Sequence, residues 1–342
     1  MTEKIRVAVL LGGDSSEREI SFRSGVAMAQ ALPRDRYNVT MLDVASPSTR
    51  AQGDSVQKVA EGIRPLHACL PVEWNQLTTT LYTSAFDVAL PAMHGGWGED
   101  GTLQALLSVV DVPFVGSGQH ASSIAIDKQV CKAFVATQGI QTPQSQLIAD
   151  LDHIEDAATQ WHKPIVIKPN RGGSSVAITI LNDPAKSTFE EEFKSAVAAA
   201  LNDGSAALVE EKIDGIEITA AVLGEGDNAE ALPLIEIVPH SSGSFYDYEA
   251  KYSLGKSSHV IPPRISEEVQ ERIKVAAKKV HTSLGCRGVS RSDFIVTESG
   301  EIYFLEINTV PGMTATSLVP DSAFAAGIEF PDLVERLVKS AL

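Results

Sequence analysis

The sequence predicts an α/β (α+β) protein whose N-terminal part is built on a parallel sheet, and two observations lead to this fold class. Residues 5–11 and 88–93 are nearly continuous apolar runs, as in strands that are buried on both faces. Each run leads into glycines and then into a stretch with helical character. Strand, glycine turn and helix in that order indicate crossover units on a parallel sheet.

Length, composition and charge limit the classes of function. A chain of 342 residues suits two or three compact units, and 44% hydrophobic with 21% charged residues is ordinary for a globular protein. A net charge of −16 argues against non-specific binding to nucleic acid or to an anionic membrane surface. An anionic ligand remains compatible with this charge, provided that lysines and arginines line its site.

The sequence contains no sign of export or membrane insertion. No apolar run approaches the roughly 20 residues that a membrane helix needs, and the apolar stretch near the N-terminus is too short for a signal peptide. The three cysteines lack the spacing of metal ligands, so we interpret them as reduced and structural. We therefore expect a cytoplasmic protein without a membrane or nucleic-acid partner.

The other elements follow from periodicity and turn residues. Ser16 and Glu19 form a capping-box pattern that predicts a helix through about Leu32. The pattern changes near Ser117, which predicts domains of residues 1–116, 117–210 and 211–342. Further predicted helices cover 128–138, 266–284 and 332–342, and further predicted strands cover 112–115, 164–168, 177–181, 207–211, 217–223 and 232–238. Residues 239–263 lack periodicity, and because structureless stretches beyond about 12–15 residues are often lids, we interpret this segment as a lid loop.

A predicted hairpin near the C-terminus carries the clearest chemical signal. A turn at residues 299–300 would pair Asp293 with Glu306 and Arg291 with Asn308, all on one face. The opposite face is predicted to be core and carries Phe294, Val296, Tyr303, Leu305 and Ile307. Facing carboxylates repel and call for a cation, and hard oxygen ligands suit Mg²⁺. The alternative is an exposed edge whose acids are neutralised by Arg291.

Four other positions are candidates for ligand binding. Lys168 ends a strand and is followed by Gly172-Gly173-Ser174-Ser175, which offers an ammonium and backbone N–H groups to phosphate, although a flexible turn would look the same. The lysine precedes the glycines, so the loop is not a Walker A motif. Glu17 follows the first strand, where open α/β sheets bind ligands, or else stabilises a helix N-terminus. His94 could orient Glu17 or be structural, and Lys251-Tyr252 in the lid could close over a site or be exposed.

These residues resemble the D-alanine–D-alanine ligases of the ATP-grasp superfamily nearly end to end. The matching segments are Ile5–Ser21, His94–Gln104, Lys168–Val176, Tyr246–Tyr252 and Gly285–Pro320. The resemblance implies a three-domain ATP-grasp architecture with a Rossmann-like N-terminal domain and ATP between the other two domains. It also implies two Mg²⁺ ions, with Mn²⁺ able to substitute, D-alanine as substrate, a homodimer and a role in peptidoglycan precursor synthesis.

The resemblance also implies a role for individual residues. The catalytic set is Glu17, Ser174, Tyr252, Arg291 and Ser317, and the substrate-binding set is His94, Gly312 and Leu318. The metal ligands are Asp293, Glu306 and Asn308. ATP would contact Lys128, Lys168, Ser175, Glu210, Glu211, Ile213, Glu217, Phe245 and Lys251.

One position and one segment differ from the family pattern, and two alternative functions remain open. Ala177 stands where the family usually has glycine, which bears on the mobility of the phosphate loop, and residues 45–83 match weakly and receive no role. The nearest alternative function is a ligase that accepts D-lactate or D-serine as its second substrate. Lys251-Tyr252 instead favours the ligase that forms the dipeptide. A catalytically inactive ATP-binding paralogue is a rival from another class.

Overall fold

The structure, a computed structural model, describes residues 3–51, 69–152, 154–172, 177–201, 204–239, 257–314 and 316–342. Within these ranges the chain forms three sheets with helices packed against them. No helix in them is long and apolar enough to cross a membrane.

The N-terminal sheet is parallel throughout, in the order β3-β2-β1-β4, which confirms the predicted fold class. Its strands are β1 (Ile5–Gly12), β2 (Tyr37–Val44), β3 (Cys69–Val72) and β4 (Val88–Pro91). Its helices are α1 (Arg18–Ala31), α2 (Pro47–Ala51), α3 (Trp74–Ser84) and α4 (Thr102–Val109). The predicted strand at 112–115 reduces to one bridge between Phe114 and Ala89. Helix α1 packs closely on β1, since a Cβ atom at Gly25 would lie 2.8 Å from Leu11.

The predicted capping box at Ser16 and Glu19 is wrong. Helix α1 begins at Arg18 after Glu17, without a capping side chain. Ser15 instead accepts a hydrogen bond from the Glu17 N–H at 3.2 Å and donates one to the His94 carbonyl at 2.6 Å. A contact with a distant turn therefore sets the start of the helix.

The central sheet is antiparallel, in the order β5-β8-β6-β7. Its strands are β5 (Ser145–Ile148), β6 (Ile165–Pro169), β7 (Thr179–Leu181) and β8 (Ala207–Glu211). The helices of this part of the chain are α5 (Gln119–Ile126), α6 (Lys128–Thr137), α7 (Ile154–Ala158) and α8 (Phe189–Leu201). Helices α7 and α8 pack on the central sheet, whereas α5 and α6 pack in the core of the third sheet. Strand β7 begins two residues later than predicted because Ala177 has a φ of +58°, outside the extended region.

The third sheet has the order β12-β11-β9-β13-β14, with β10 also paired to β9. Its strands are β9 (Ile216–Leu223), β10 (Glu230–Ala231), β11 (Ile235–Pro239), β12 (Ser257–Val260), β13 (Val289–Val296) and β14 (Ile302–Asn308). The helices of this last part of the chain are α9 (Glu267–Ser283), α10 (Leu318–Ala325) and α11 (Phe330–Ser340). Helix α9 packs on the third sheet, whereas α11 packs against α1 in the core of the N-terminal sheet. Ser266 caps α9 by accepting the Val269 N–H at 3.3 Å.

The lid prediction is wrong at its C-terminal end. Strand β12 pairs antiparallel with β11, so residues 257–260 are an edge strand. Its Ser-Ser-His-Val sequence lacks the apolar alternation by which a strand can be recognised. Residues 240–256, the rest of the predicted lid, lie outside the described ranges.

The hairpin of β13 and β14 confirms the predicted pairs and corrects the predicted core. Asp293 faces Glu306 and Arg291 faces Asn308, but the register then shifts, so that Phe294 pairs with Phe304. The shift is a β-bulge, which turns the following side chains to the other face. Tyr303 and Leu305 are therefore only partly buried. The core positions are taken by Ile302 and Phe304.

Candidate active site

A pocket lies where the three units meet. It is lined by Glu99, Ala125, Ile126, Lys128, Gly172, Glu306, Ile307, Asn308 and Thr309. The turn before α4 supplies Glu99, the start of α6 supplies Lys128, the segment after β6 supplies Gly172, and β14 supplies Glu306 and Asn308. The pocket therefore joins three of the candidate residues that the sequence indicated from distant segments.

On the β13 side, Asp293 is buried and fully engaged. Arg291 donates to both of its carboxylate oxygens, at 3.1 and 2.9 Å, and the Thr219 hydroxyl donates to one at 2.5 Å. Across the hairpin, the Lys128 ammonium lies 3.7 Å from Glu306. Each of the two facing acids thus has a cation from the chain itself. Arg291 therefore neutralises Asp293, as the alternative interpretation of the hairpin predicted.

The donor set nevertheless fits a hard divalent cation. Asp293 and Glu306 are opposite each other, and the Asn308 side-chain oxygen, which accepts the Val310 N–H at 2.9 Å, is two residues further along β14. The described residues contain no group of three or more His, Cys, Asp and Glu side chains that could hold a metal ion. A metal here would therefore use two carboxylates, the amide oxygen and oxygens from a ligand, which is the Mg²⁺ pattern.

Three lysines form the cationic wall of the site. Lys128 donates to the Gly172 carbonyl at 2.5 Å. Lys168 lies 2.7 Å from one oxygen of Glu210, and Lys132 forms an ion pair with the other oxygen. Sequence reasoning missed Lys132, although its position one helical turn after Lys128 is a usable signal.

Asp127 fixes the start of α6 relative to the end of β6. Its carboxylate caps the helix by accepting the Val130 N–H at 3.1 Å, and it also accepts the Asn170 side-chain amide at 2.8 Å. Asn170 in turn accepts the Gln129 N–H at 2.9 Å. Lys128 directly follows Asp127, and Lys168 lies two residues before Asn170, so the network ties together the two segments that carry these lysines.

The N-terminal wall contains two buried acids, Glu17 and Glu99, each 4% exposed. Burial raises the pKa of Glu99 to about 8, and the negative charge of Glu17 adds to the rise. Glu99 accepts the Gly95 N–H at 2.7 Å. Gly95 has a φ of +68°, and a Cβ atom there would lie 2.7 Å from the Glu17 carboxylate. Glu99 was missed because an acid in a glycine-rich turn is usually exposed.

His94 links the N-terminal unit to the loop after β14. Its Nε2 atom lies 3.0 Å from the Ser24 hydroxyl, which accepts the Met313 N–H at 3.2 Å. Burial lowers the pKa of His94 to about 4, although a hydrogen bond with the Val310 backbone acts in the opposite direction. His94 is therefore a neutral hydrogen-bonding group at neutral pH.

The loop after β14 brings Gly312 and Ser317 together. The Ser317 hydroxyl accepts the Thr314 N–H at 3.0 Å, and a Cβ atom at Gly312 would lie 2.9 Å from it. Leu318 instead packs in a small apolar cluster with Ile235 and Ile237. Its predicted contact with substrate remains a prediction.

The remaining nucleotide candidates lie along β8 and β9. Glu211 pairs with Lys163 at 2.5 Å, while Ile213 and Glu217 are half-buried. Their contacts with a nucleotide remain predictions. Five predicted site residues fall outside the described ranges, namely Ser174, Ser175, Phe245, Lys251 and Tyr252.

Family models match most of the chain. Residues 6–117 match the model described as D-ala D-ala ligase N-terminus, and residues 134–339 match the D-ala D-ala ligase C-terminus. The D-alanine--D-alanine ligase of Pelotomaculum thermopropionicum is 40% identical over 346 residues, covering 99% of this chain and 97% of the relative. That of Desulforamulus reducens is 41% identical over 346 residues, covering 99% of each.

Two solved structures have a similar fold over nearly the whole chain. The VanG D-Ala:D-Ser ligase from Enterococcus faecalis has a TM-score of 0.76 at 27% identity, covering 99% of this chain and 100% of that one. The D-alanine--D-alanine ligase from Bacillus anthracis complexed with ATP has a TM-score of 0.74 at 28% identity, covering 99% and 97%.

Proposed function

The chain belongs to the D-alanine–D-alanine ligase family, and we propose that it joins two molecules of D-alanine to D-alanyl-D-alanine at the expense of ATP. The product would enter the synthesis of peptidoglycan precursors. One observation of the site carries the proposal. The acids Asp293 and Glu306, the cations Arg291 and Lys128 and the acid Glu99 meet at one junction of three units.

The cationic wall supports binding of the nucleotide phosphates. Lys128 and Lys168 would contact the phosphates, together with Ser174, Ser175 and Lys251. Glu210, Glu211, Ile213, Glu217 and Phe245 would contact the adenine and ribose. Buried or half-buried lysines offer charge-assisted hydrogen bonds to phosphate oxygens, which are stronger than neutral ones.

Two Mg²⁺ ions would be held by Asp293, Glu306 and Asn308, with Mn²⁺ able to replace them. When bound, they would neutralise the charge that develops on the transferred phosphoryl group. The chain contributes the fixed geometry, because Thr219 and Arg291 hold the Asp293 carboxylate from two sides.

The substrate residues support an acyl-phosphate route. Glu17 would hold the ammonium of the first D-alanine, and neutral His94 would help to orient it. The second D-alanine, beside Ser317 and Leu318, would attack the activated carboxyl group. Arg291 and the Gly312 N–H would stabilise the tetrahedral oxyanion, as aimed donors do in acyl transfer. Tyr252 and Ser174 would tie the lid to the phosphate loop and keep water from the acyl phosphate.

The cellular setting is also a proposal. Precursors of this kind are built from ATP and free amino acids, so we place the protein in the cytoplasm. The family further suggests a homodimer.

The proposal is tested by measuring ADP release with D-alanine, with L-alanine, and with D-alanine plus D-lactate or D-serine, each with and without Mg²⁺. We expect ADP and the dipeptide only with D-alanine and Mg²⁺. Absence of ADP under those conditions, with ATP still bound, would indicate an inactive paralogue. Preferential formation of the D-lactate or D-serine product at neutral pH would assign the chain to the rival ligases.

A further inference from the structure

We propose that Lys132 is a positioning residue of the nucleotide site, which shares the Glu210 carboxylate with Lys168 and thereby leaves positive charge on Lys168 for phosphate. The inference rests on the proposed function, because it concerns the binding of the ATP phosphates.

The geometry joins two elements at one carboxylate. Lys132 projects from α6, and Lys168 and Glu210 are on the neighbouring antiparallel strands β6 and β8. Lys168 lies 2.7 Å from the Oε2 atom of Glu210, and Lys132 pairs with the Oε1 atom. The side chains of Lys132 and Glu210 are only 2% and 3% exposed, and that of Lys168 is 10% exposed. Solvent therefore screens these charges weakly.

The balance of charge in this triad is unusual. One carboxylate between two ammonium groups leaves a net positive charge in a buried place, where an uncompensated charge is costly. Burial and the charge of Lys168 lower the pKa of Lys132, which reflects that cost, whereas the charge of Glu306 raises it. Glu306 is itself paired with Lys128, so the three lysines still outnumber the two acids. A single lysine would satisfy Glu210 at lower cost. The second lysine is explained if an anion completes the group during function.

The position of Lys132 on α6 indicates which anion. Lys128, one turn earlier on the same helix, lines the pocket near Glu306. Lys168 lies one residue before the end of β6, and the glycine-containing segment proposed to bind phosphate follows in the sequence. Of the three residues in the triad, Lys168 is therefore the closest in sequence to that segment. Without Lys132, Glu210 would pair only with Lys168 and would neutralise its charge. The phosphate group would then have to compete with a full buried ion pair.

The test is calorimetric binding of ADP and of adenosine, in Mg²⁺ buffer without D-alanine, to the wild type and to Lys132→Met. We expect the Kd for ADP to rise at least tenfold, whereas the Kd for adenosine, which has no phosphate, changes less than twofold. Lys132→Arg should stay within threefold of the wild type for ADP. The KM for ATP should rise with that Kd, while the KM for D-alanine stays unchanged.

Controls separate the possible failures. Lys186→Met removes an exposed lysine that pairs with Glu192 on the same unit and should bind ADP as the wild type does. Adding Glu210→Gln to Lys132→Met should move the ratio of the ADP Kd to the adenosine Kd back towards the wild-type ratio, because the carboxylate that neutralises Lys168 is then gone. The ratio cancels any loss of a contact between Glu210 and the adenine or ribose, which ADP and adenosine share. Equal loss of ADP and adenosine binding would overturn the inference in favour of a structural role, as would unchanged ADP binding. A wild type that does not bind ADP would instead overturn the proposed function.

Discussion

At the scale of single residues, Ala177 has an uncommon backbone conformation. Its φ of +58° lies in the left-handed region, which is costly for any residue with a Cβ atom. The sequence singled out Ala177 by its resemblance to the family, but residue type alone could not indicate its backbone conformation. The structure places this alanine in the left-handed conformation.

Ala177→Gly should therefore stabilise the protein. Removing the Cβ atom relieves about 1 kcal/mol of conformational cost, which exceeds the extra freedom that glycine gains in the unfolded chain. The measurement is the free energy of unfolding from urea titration. Ala198→Gly, in the middle of α8, is the matched control and should lose about 0.5–1 kcal/mol. Equal losses at both positions would contradict the proposed strain.

The residues that were missed share one property. Asp293 and Glu306 could be predicted because a hairpin register relates positions close in sequence. Lys132 and Glu99 gain their meaning from partners that only the packed molecule brings near, namely Glu210 and Glu17. Residue type and spacing do not indicate whether a charged side chain is buried.

At the scale of elements, strands and helices with strong periodicity were predicted well, and irregular ones were not. The bulge after Asp293 is hidden because Tyr-Phe-Leu at 303–305 is continuously apolar and fits either register. The start of α1 is hidden because its cap is replaced by the contact of Ser15 with the His94 carbonyl. In both places long-range packing overrides a local pattern.

One element boundary governs the nucleotide site. Asp127 caps α6 and binds Asn170 beyond β6, so Asp127→Ala should lower the free energy of unfolding by about 1–2 kcal/mol and raise the KM for ATP several-fold. The KM for D-alanine should change little, since the change lies on the other side of the site.

Ser266→Ala is the matched control for that prediction. It removes the cap of α9, which carries no candidate site residue, and should lower stability by about 1 kcal/mol without changing the KM for ATP. If both variants raised that KM equally, general destabilisation would be the cause. Asp127 would then have no specific role in the site.

At the scale of the whole molecule, the three units meet around groups whose charged forms are disfavoured by burial. The loop after β14 reaches the N-terminal unit through Ser24 and His94, and Glu99 faces the pocket formed by the other units. The pKa values of His94 and Glu99 could not be predicted from sequence, because each depends on how the chain packs at this junction. The junction should consequently make stability depend on pH in two opposite ways.

The two signs follow from the pKa shifts. The pKa of His94 is lowered from 6.5 to about 4. The contribution of neutral His94 to the free energy of unfolding is therefore complete above pH 6.5 and is lost as the pH falls towards 4. The pKa of Glu99 is raised from 4.5 to about 8. The contribution of protonated Glu99 to the free energy of unfolding is therefore complete below pH 4.5 and is lost as the pH rises towards 8. Each shift corresponds to a loss on the order of a few kcal/mol at its far end.

Substitutions at Glu99 and His94 should separate the two opposite effects of pH on stability. Without nucleotide, substrate or divalent metal, Glu99→Gln should gain stability relative to the wild type as the pH rises from 5 to 8. His94→Gln, after a constant loss for its hydrogen bonds, should gain relative to the wild type as the pH falls from 7 to 4.5. Urea titrations across this range measure both differences, with Ser266→Ala as a control whose offset from the wild type stays constant. Parallel curves for all four proteins would mean that neither group is buried at the junction in solution, and the three units would then not meet around the site as they do here.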